Sequence, residues 1–298
     1  MILPVLLGPT GIGKTDLSIE LAKYFKTEIV SADSRQIYKE MNIGTAVPSC
    51  EQLNEIKHHF IQTRSVLDEY TAGKYEIDAL NTINELFGQH NYVWLVGGSG
   101  LYIDAVCKGI DNIPGTDAEL RKSIVKRFET EGIESLRFEL MRLDNEICNV
   151  IDIHNPQRVM RALEVCFTSG KPYSSLRKNF IKQRPFKIIK TGLAIDRNEL
   201  YNRINARVEK MIDAGLEKEA ENLYRFKENN ALKTVGYREL FDYFEGKQSF
   251  DQAVELIKRN TRRYAKKQLT WFARYSDIKW FHPSDFSEIC KYIMNYEL

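Results

Sequence analysis

Short apolar stretches and segments of helical spacing alternate along the first hundred residues. The stretches Ile2–Leu7, 28–31 and 92–96 have the length of buried strands, and the first and third end at glycines. Between them, residues 17–25 repeat apolar side chains every four positions, as an amphipathic helix does, and a second helix beginning near Leu101 should follow the third strand. Strands that alternate with helices indicate an α/β fold with a parallel sheet.

The pattern changes after Pro114. Residues 117–177 have helical character with breaks at Gly132, Pro156 and Gly170, and a strand should return at 187–195. Residues 198–271 are again helical, and 278–281 has the pattern of a last edge strand. We therefore predict a helical domain of residues 114–186 inserted into an α/β core of residues 1–113 and 187–298, whose C-terminal part is helical.

Composition narrows the class of protein only slightly. The chain has 298 residues and a net charge of +2, from 43 basic and 41 acidic residues, so its overall field selects no partner. The five cysteines have no metal-ligand spacing, and we interpret them as reduced thiols of a cytoplasmic protein. We expect neither a signal peptide nor a membrane-spanning helix.

The first strand runs into a phosphate-binding loop. Residues 8–15 match G-x-x-x-x-G-K-[ST] between a strand and a helix, which is the context that the motif requires. The loop amides and the helix N-terminus attract an anion, Lys14 supplies an ammonium, and Thr15 offers a hydroxyl to Mg²⁺. We predict a P-loop NTPase-like core that binds a nucleotide or a diphosphate through Gly8, Pro9, Thr10, Gly11, Ile12, Gly13, Lys14 and Thr15.

Asp33 follows the second predicted strand, at the sheet edge that carries the phosphate loop. A carboxylate there can bind metal or accept a proton, or it can simply cap the following turn. The sequence alone does not decide among these three roles of Asp33.

Two basic clusters lie in the C-terminal part. Arg203 and Arg207 are four residues apart, so one helix face presents both, either to a leaving diphosphate or to solvent. Residues 258–274 contain seven basic side chains and no acidic one, which is compatible with an RNA phosphate track through Arg262 and Lys266 or with a solvated face. The buried stripe of this helix is predicted to be Ile257, Tyr264, Leu269 and Phe272.

Several segments together resemble the tRNA dimethylallyltransferases (tRNA isopentenyltransferases), in one order along almost the whole chain. They are GPTGIGKT at 8–15, SADSRQIYK at 31–39, MNIGTA at 41–46, VGGSGLY at 96–102, NPQRVMRALE at 155–164, DRNELYNRINARV at 196–208, TVGYRE at 234–239 and RNTRRYAKKQLTWF at 259–272. Where this chain has Ser99, the family commonly has threonine.

The resemblance implies transfer of a dimethylallyl group from dimethylallyl diphosphate to the exocyclic amine of the adenosine 3′ of the anticodon. It implies that the loop holds the diphosphate with Mg²⁺ and that Asp33 is the general base. Lys14, Thr15, Ser99 and Arg203 complete the implied catalytic set. The implied tRNA contacts are Asp33, Ser34, Arg35, Gln36, Ser99, Arg121, Gln157, Arg158, Val159, Met160 and Arg161.

Other functions remain open at this stage. The chain could prenylate free adenine nucleotides, phosphorylate a small molecule as a P-loop kinase, or bind nucleotide and RNA without catalysis. The partners expected from the favoured function are the tRNA anticodon stem-loop and dimethylallyl diphosphate, with no membrane and with the chain acting as a monomer.

Overall fold

The computed structural model describes residues 1–115, 117–178 and 180–296, and within them six strands form one sheet. The strands are β1 (Ile2–Leu7), β2 (Ile29–Ser31), β3 (His58–His59), β4 (Trp94–Gly97), β5 (Lys187–Leu193) and β6 (Ile278–Phe281). The α-helices are α1 (Lys14–Tyr24), α2 (Cys50–Glu55), α3 (Ala72–Phe87), α4 (Gly100–Cys107), α5 (Ala118–Leu143), α6 (Asn145–Cys148), α7 (Pro156–Ser169), α8 (Tyr173–Leu176), α9 (Arg197–Asp213), α10 (Leu216–Leu223), α11 (Tyr237–Phe244), α12 (Phe250–Phe272) and α13 (Phe286–Met294).

The sheet is parallel throughout, with the strand order β3-β2-β4-β1-β5-β6. Strand β1 lies in its interior, and all six of its residues are buried. This explains its continuous apolar sequence, because a central parallel strand is covered on both faces. The carboxyl ends of β1, β2 and β4 meet at one edge, so the segments that follow them come together there.

The predicted α/β core is confirmed, including the strand at 278–281 on the edge of the sheet. Four elements that the sequence analysis did not assign are α2, β3, α3 and α13. Helix α3 carried a usable signal, since Thr71 caps it and Tyr75, Ala79, Ile83 and Leu86 are buried at helical spacing.

The chain divides into two units, one of Met1–Cys107 with Gln183–Leu298 and one of Lys108–Lys182. The second unit contains α5 to α8. Gly132 interrupts α5 with φ of 77°, and α7 begins after the side-chain cap of Asn155 and ends at Gly170 in the left-handed conformation. The core of the second unit contains Ile124, Leu136, Leu140, Val159, Met160 and Leu163.

Helix α12 departs from prediction in its buried stripe. Ile257 and Phe272 are buried, but Tyr264 is 40% exposed and Leu269 is only partly buried. The described stripe is Ala253, Ile257, Ala265, Gln268 and Phe272. The prediction failed because it selected large apolar side chains and overlooked alanine and glutamine.

Among the described helices, none combines the length and the apolar composition that crossing a lipid bilayer requires.

Candidate active site

A cavity of about 1260 Å³ opens at the carboxyl ends of β1 and β2 in the first unit. Residues 10–15 of the phosphate loop form one side of it. Residues 33–36 and 44–48 form another. Further lining comes from α9, α12 and residues 233–236, among others. One cavity therefore contains both the phosphate loop and the Asp33 carboxylate.

Two glycines give the phosphate loop its shape. Gly11 and Gly13 have φ of 80° and 98°, in the left-handed region that residues with a Cβ avoid. Gly13 is the N-cap of α1, so the helix dipole points its positive end at the cavity. A Cβ on Gly11 would also lie 2.9 Å from the Ile204 side chain of α9. The loop is therefore closely packed on α9.

Lys14 lies folded against its own loop. Its Nζ donates hydrogen bonds to the carbonyl oxygens of Gly8 at 2.9 Å and Pro9 at 2.8 Å. Burial lowers the pKa of Lys14 to about 8, while the Asp33 carboxylate opposes this change and Arg207 adds to it. An anion in the loop would restore the charge that burial disfavours.

Helix α9 presents two arginines on one face, as their four-residue spacing predicts, and this face lies against the phosphate loop. Arg203 donates from Nη1 to the Ile12 carbonyl oxygen at 3.3 Å and pairs with Glu199 at 2.7 Å. Arg207 donates from Nη1 to Thr10 Oγ1 at 3.5 Å. Burial lowers the pKa of Arg207 and Asp33 opposes the shift, but an arginine stays protonated at neutral pH.

Gln268, within the motif at 259–272, also belongs to this site, although its sequence position alone predicts no role for it. Its Oε1 accepts from the Thr10 amide at 2.9 Å, and its Nε2 donates to the Gly98 carbonyl at 2.9 Å. Gly98 permits this approach, because a Cβ there would lie 2.4 Å from Nε2. The buried amide therefore connects the phosphate loop to the end of β4. A glutamine on the apolar side of a helix was the signal that could have revealed it.

Asp33 forms the turn that follows β2. Its Oδ1 accepts hydrogen bonds from the amides of Arg35 at 2.8 Å and Gln36 at 3.2 Å, so the capping role is real. No group in the described ranges donates a hydrogen bond to Oδ2. Asp33 can therefore cap the turn with one oxygen and keep the other for chemistry in the cavity.

The neighbours of Asp33 are tied into the protein. Ser99 Oγ accepts from the Ser34 amide at 2.9 Å and donates to Ser34 Oγ at 3.1 Å. Arg35 Nη1 donates to the carbonyls of Asn230 at 2.9 Å and Ala231 at 3.2 Å. Any RNA contact by Arg35 must therefore coexist with, or replace, these internal bonds.

In the helical unit, several of the residues implied in tRNA binding surround one buried carboxylate, that of Glu164. Arg121 pairs with Glu164 and also donates to Gln157 at 2.5 Å. Arg161 donates to Glu164 at 3.4 Å and to the Pro114 carbonyl at 2.9 Å. Arg158 is exposed, whereas the side chains of Val159 and Met160 pack into the core of this unit. Of the residues implied in tRNA binding here, only the polar ones keep side chains outside this core, namely Arg121, Gln157, Arg158 and Arg161.

On α12, Lys266 is exposed, and Arg262 donates to Asn205 Oδ1 at 2.6 Å. Arg263 and Lys267, which the sequence analysis did not select, line the cavity. Tyr264, whose side chain is partly exposed, also lines the cavity, and loss of solvent around its hydroxyl raises its pKa to about 12, with the Asp33 charge adding to the shift.

Comparison with known proteins gives one consistent family. Residues 36–275 match the model of the IPP transferases. The chain is 50% identical over 289 residues to tRNA dimethylallyltransferase 1 of Bacteroides fragilis, covering 97% of this chain and 96% of that protein. It is 52% identical over 299 residues to the tRNA dimethylallyltransferase of Flavobacterium johnsoniae, with the same coverage. The crystal structure of the tRNA isopentenylpyrophosphate transferase of Bacillus halodurans matches with a TM-score of 0.72 and 32% identity, covering 99% of this chain and 94% of that one.

Proposed function

Since this chain belongs to the IPP transferase family, we propose that it transfers a dimethylallyl group from dimethylallyl diphosphate to an adenosine of tRNA. The observation that carries the proposal is the single cavity that joins a cationic phosphate loop to a carboxylate. A prenyl transfer needs both, one for the leaving diphosphate and one for the attacking amine.

The acceptor atom is the exocyclic amine of the adenosine 3′ of the anticodon. The amine nitrogen bonds to the allylic carbon, the carbon–oxygen bond to the diphosphate breaks, and the nitrogen loses a proton to Asp33 Oδ2. The adenine must leave its stack to enter the cavity, which is least costly in an unpaired loop.

The leaving diphosphate gains negative charge as its bond to carbon breaks. Lys14, Arg203 and Arg207 all reach the loop that would hold it. Preorganised positive groups that face developing charge lower the barrier more than they would in water. The two arginines therefore act with Lys14 at the phosphate side.

The residues also fit Mg²⁺. Thr15 and Asp33 both line the cavity and offer the oxygen ligands that Mg²⁺ prefers. In the described part of the chain, no three His, Cys, Asp or Glu side chains converge on a metal position, so the substrate phosphates would supply further ligands. Bound there, Mg²⁺ supplies positive charge to the leaving diphosphate.

The tRNA would be held by three groups of residues. Asp33, Ser34, Arg35, Gln36 and Ser99 lie at or next to the turn after β2. Arg121, Gln157, Arg158 and Arg161 belong to the helical unit, and Arg262 and Lys266 to α12. We propose that the enzyme acts in the cytoplasm, since its acceptor is tRNA, and that it acts as a monomer.

The decisive experiment supplies dimethylallyl diphosphate labelled in its prenyl group. The acceptors are an unmodified tRNA with adenosine 3′ of the anticodon, the same tRNA with guanosine there, and AMP. Label should enter the first acceptor and not the second, because guanine has an oxygen where adenine has the amine. Label in AMP instead would identify an enzyme that prenylates free nucleotides. A small-molecule kinase or a non-catalytic RNA-binding protein would transfer no label to any of them.

A further inference from the structure

Two motifs, residues 41–46 and 234–239, have no role in the reaction as described above. In the structure they meet at Glu219, a residue of α10 that belongs to neither. Residues 44–48 and 233–236 line the cavity, so this junction lies directly behind its wall.

The Glu219 carboxylate accepts hydrogen bonds from three consecutive backbone amides. They are those of Asn42 at 3.0 Å, Ile43 at 2.8 Å and Gly44 at 2.9 Å. The Tyr237 hydroxyl donates a fourth at 2.7 Å. Hydrogen bonds to an ionised acceptor are about twice as strong as those between neutral groups. One side chain therefore fixes the course of the backbone over three residues.

Tyr237 fixes the same segment from a second direction. Its ring is fully buried and lies against Gly44, where a Cβ would come within 2.7 Å of the ring atoms. Burial raises the pKa of the Tyr237 hydroxyl, and the negative charge of Glu219 raises it further, so the hydroxyl remains a donor. The glycine in MNIGTA and the tyrosine in TVGYRE are thus complementary in shape.

The segment is linked in turn to the reacting carboxylate. Gln36 Nε2 donates to the carbonyls of Ala46 at 2.8 Å and Thr45 at 3.2 Å, and the Gln36 amide donates to Asp33 Oδ1. Ala46 has φ of 49°, a left-handed conformation that a non-glycine residue keeps only where its surroundings hold it. Glu219, the 42–46 segment, Gln36 and Asp33 therefore form one continuous chain of contacts.

The phosphate side of the cavity has separate supports. The loop is held by Gln268 and by the arginines of α9. No hydrogen bond or ion pair among the described residues joins Glu219 to the phosphate loop. A change at Glu219 should therefore affect the two sides of the cavity unequally.

We propose that Glu219 is a positioning residue for the transfer: it sets the 42–46 segment and, through Gln36, the side of the cavity that holds the acceptor nucleotide. The proposal rests on the proposed function, because it assigns this side to the tRNA adenosine and the phosphate loop to dimethylallyl diphosphate.

The test is Glu219→Gln, assayed for transfer with each substrate varied in turn. The amide keeps the size of the side chain, but it loses the charge, and its NH₂ group faces backbone amides that need an acceptor. The partly buried amides of Ile43 and Gly44 would then lack an acceptor of full strength, which should lower kcat/KM for tRNA about tenfold to a hundredfold. The KM for dimethylallyl diphosphate and the Kd of inorganic diphosphate should stay within about twofold of the wild-type values.

Glu217→Gln is the matched control. Glu217 lies in the same first turn of α10, so its replacement removes the same charge from the same helix N-terminus without touching residues 42–44. Gly44→Ala and Tyr237→Phe test the proposal from the other partners. Both should shift the tRNA parameters alone, Tyr237→Phe less, because it removes one of the four hydrogen bonds and keeps the ring.

The experiment distinguishes failure of the proposed function from failure of the Glu219 proposal. If the wild-type chain transfers no prenyl label to tRNA, the proposed function fails whatever Glu219 does. If the wild type is active and Glu219→Gln behaves like Glu217→Gln, the inference is wrong. It is equally wrong if tRNA and diphosphate parameters fall together, because a general loss of structure would do that. Should Glu219→Gln not fold, Gly44→Ala and Tyr237→Phe decide by the same criterion.

Discussion

The two sides of the cavity are built in different ways. The phosphate side is built around eight consecutive residues, 8–15, which run from the end of β1 into the first turn of α1, and their glycines and lysine are specified locally. The acceptor side combines Asp33, Gln36 and the 42–46 segment with Glu219, which lies 175 residues beyond Gly44. Local sequence therefore specifies the phosphate loop itself, although distant residues support it, whereas the whole shape of the acceptor side depends on the completed fold.

The difference also concerns charge. Around the phosphate loop, Lys14 and Arg207 are partly buried cations, and the loss of solvent around their charged groups lowers their pKa values. On the acceptor side, the carboxylates of Asp33 and Glu219 accept hydrogen bonds from backbone amides. Substitutions on the first side should alter diphosphate binding and departure, and substitutions on the second should alter proton transfer or tRNA use.

The largest effect is expected for Asp33→Asn. The asparagine Oδ1 can still accept from the Arg35 and Gln36 amides, and Asn caps about as well as Asp, so the turn should persist. Loss of a general base should lower single-turnover transfer by roughly 10²–10⁴. The Kd values for diphosphate and tRNA and the melting temperature should change little.

A Mg²⁺ series distinguishes the roles of Asp33. A loss that no Mg²⁺ concentration restores supports the base. Partial recovery at high Mg²⁺ would instead make Asp33 chiefly a metal ligand, and full activity at ordinary Mg²⁺ would leave it only a cap.

Lys14→Ala should produce the next largest loss. Removing one charge that faces the leaving diphosphate should lower kcat by about 10²–10³. The Kd for tRNA should remain near the wild-type value if the two sides are independent. Near-normal turnover would contradict the assignment of the loop to the diphosphate.

The pH dependence of diphosphate binding should report on Lys14 itself. In the ligand-free protein its pKa is about 8, so the ammonium is present below that pH and is lost as the pH rises above it. If only the protonated form binds, the Kd for dimethylallyl diphosphate should rise up to about tenfold per pH unit above 8. Lys14→Arg should abolish this rise of Kd with pH, since a guanidinium stays charged throughout. If Kd still rises above pH 8 in Lys14→Arg, the titration belongs to another group.

Sequence patterns predicted the elements whose apolar spacing is strong, such as β1 and α9, and the phosphate loop, because each is specified within about twenty residues. They did not predict the two-residue strand β3, whose form depends on pairing with β2. Tyr264 was wrongly placed in the core of α12, because Ala265 beside it fills the buried position. The close packing of that helix selects a small side chain there.

The role of Asp33 could be predicted from the sequence only in part. Its position after a strand predicted a carboxylate at the sheet edge but did not decide between a general base and a cap for the turn. The structure shows that Oδ1 caps the turn, and Oδ2 remains for chemistry in the cavity that Asp33 lines. Glu219 was beyond such inference, since an acidic residue in a charged helix has the ordinary pattern of a solvated face. Its role follows only from three amides contributed by a distant segment.

The smallest effects are expected outside both sides of the cavity, on the exposed face of α12. Lys266 is exposed, and the Arg262 guanidinium, held by Asn205, lies over the Tyr201 ring at 5.9 Å. If both contact RNA phosphates, each change to glutamine should weaken binding of every tRNA by a similar small factor. Each should also reduce the slope of log Kd against log salt by about 1, because one fewer counterion is released. Lys291→Gln, at an exposed position of α13, is the control for a general loss of positive charge. The slope is measured by titrating two different tRNAs with each variant between about 50 and 200 mM salt, where affinity carried by phosphate contacts falls steeply.

Binding of dimethylallyl diphosphate should not change, because neither side chain lines the cavity. A slope equal to that of Lys291→Gln would return these residues to an ordinary solvated face. A change for only one of the two tRNAs would show that they read sequence or shape rather than phosphate charge.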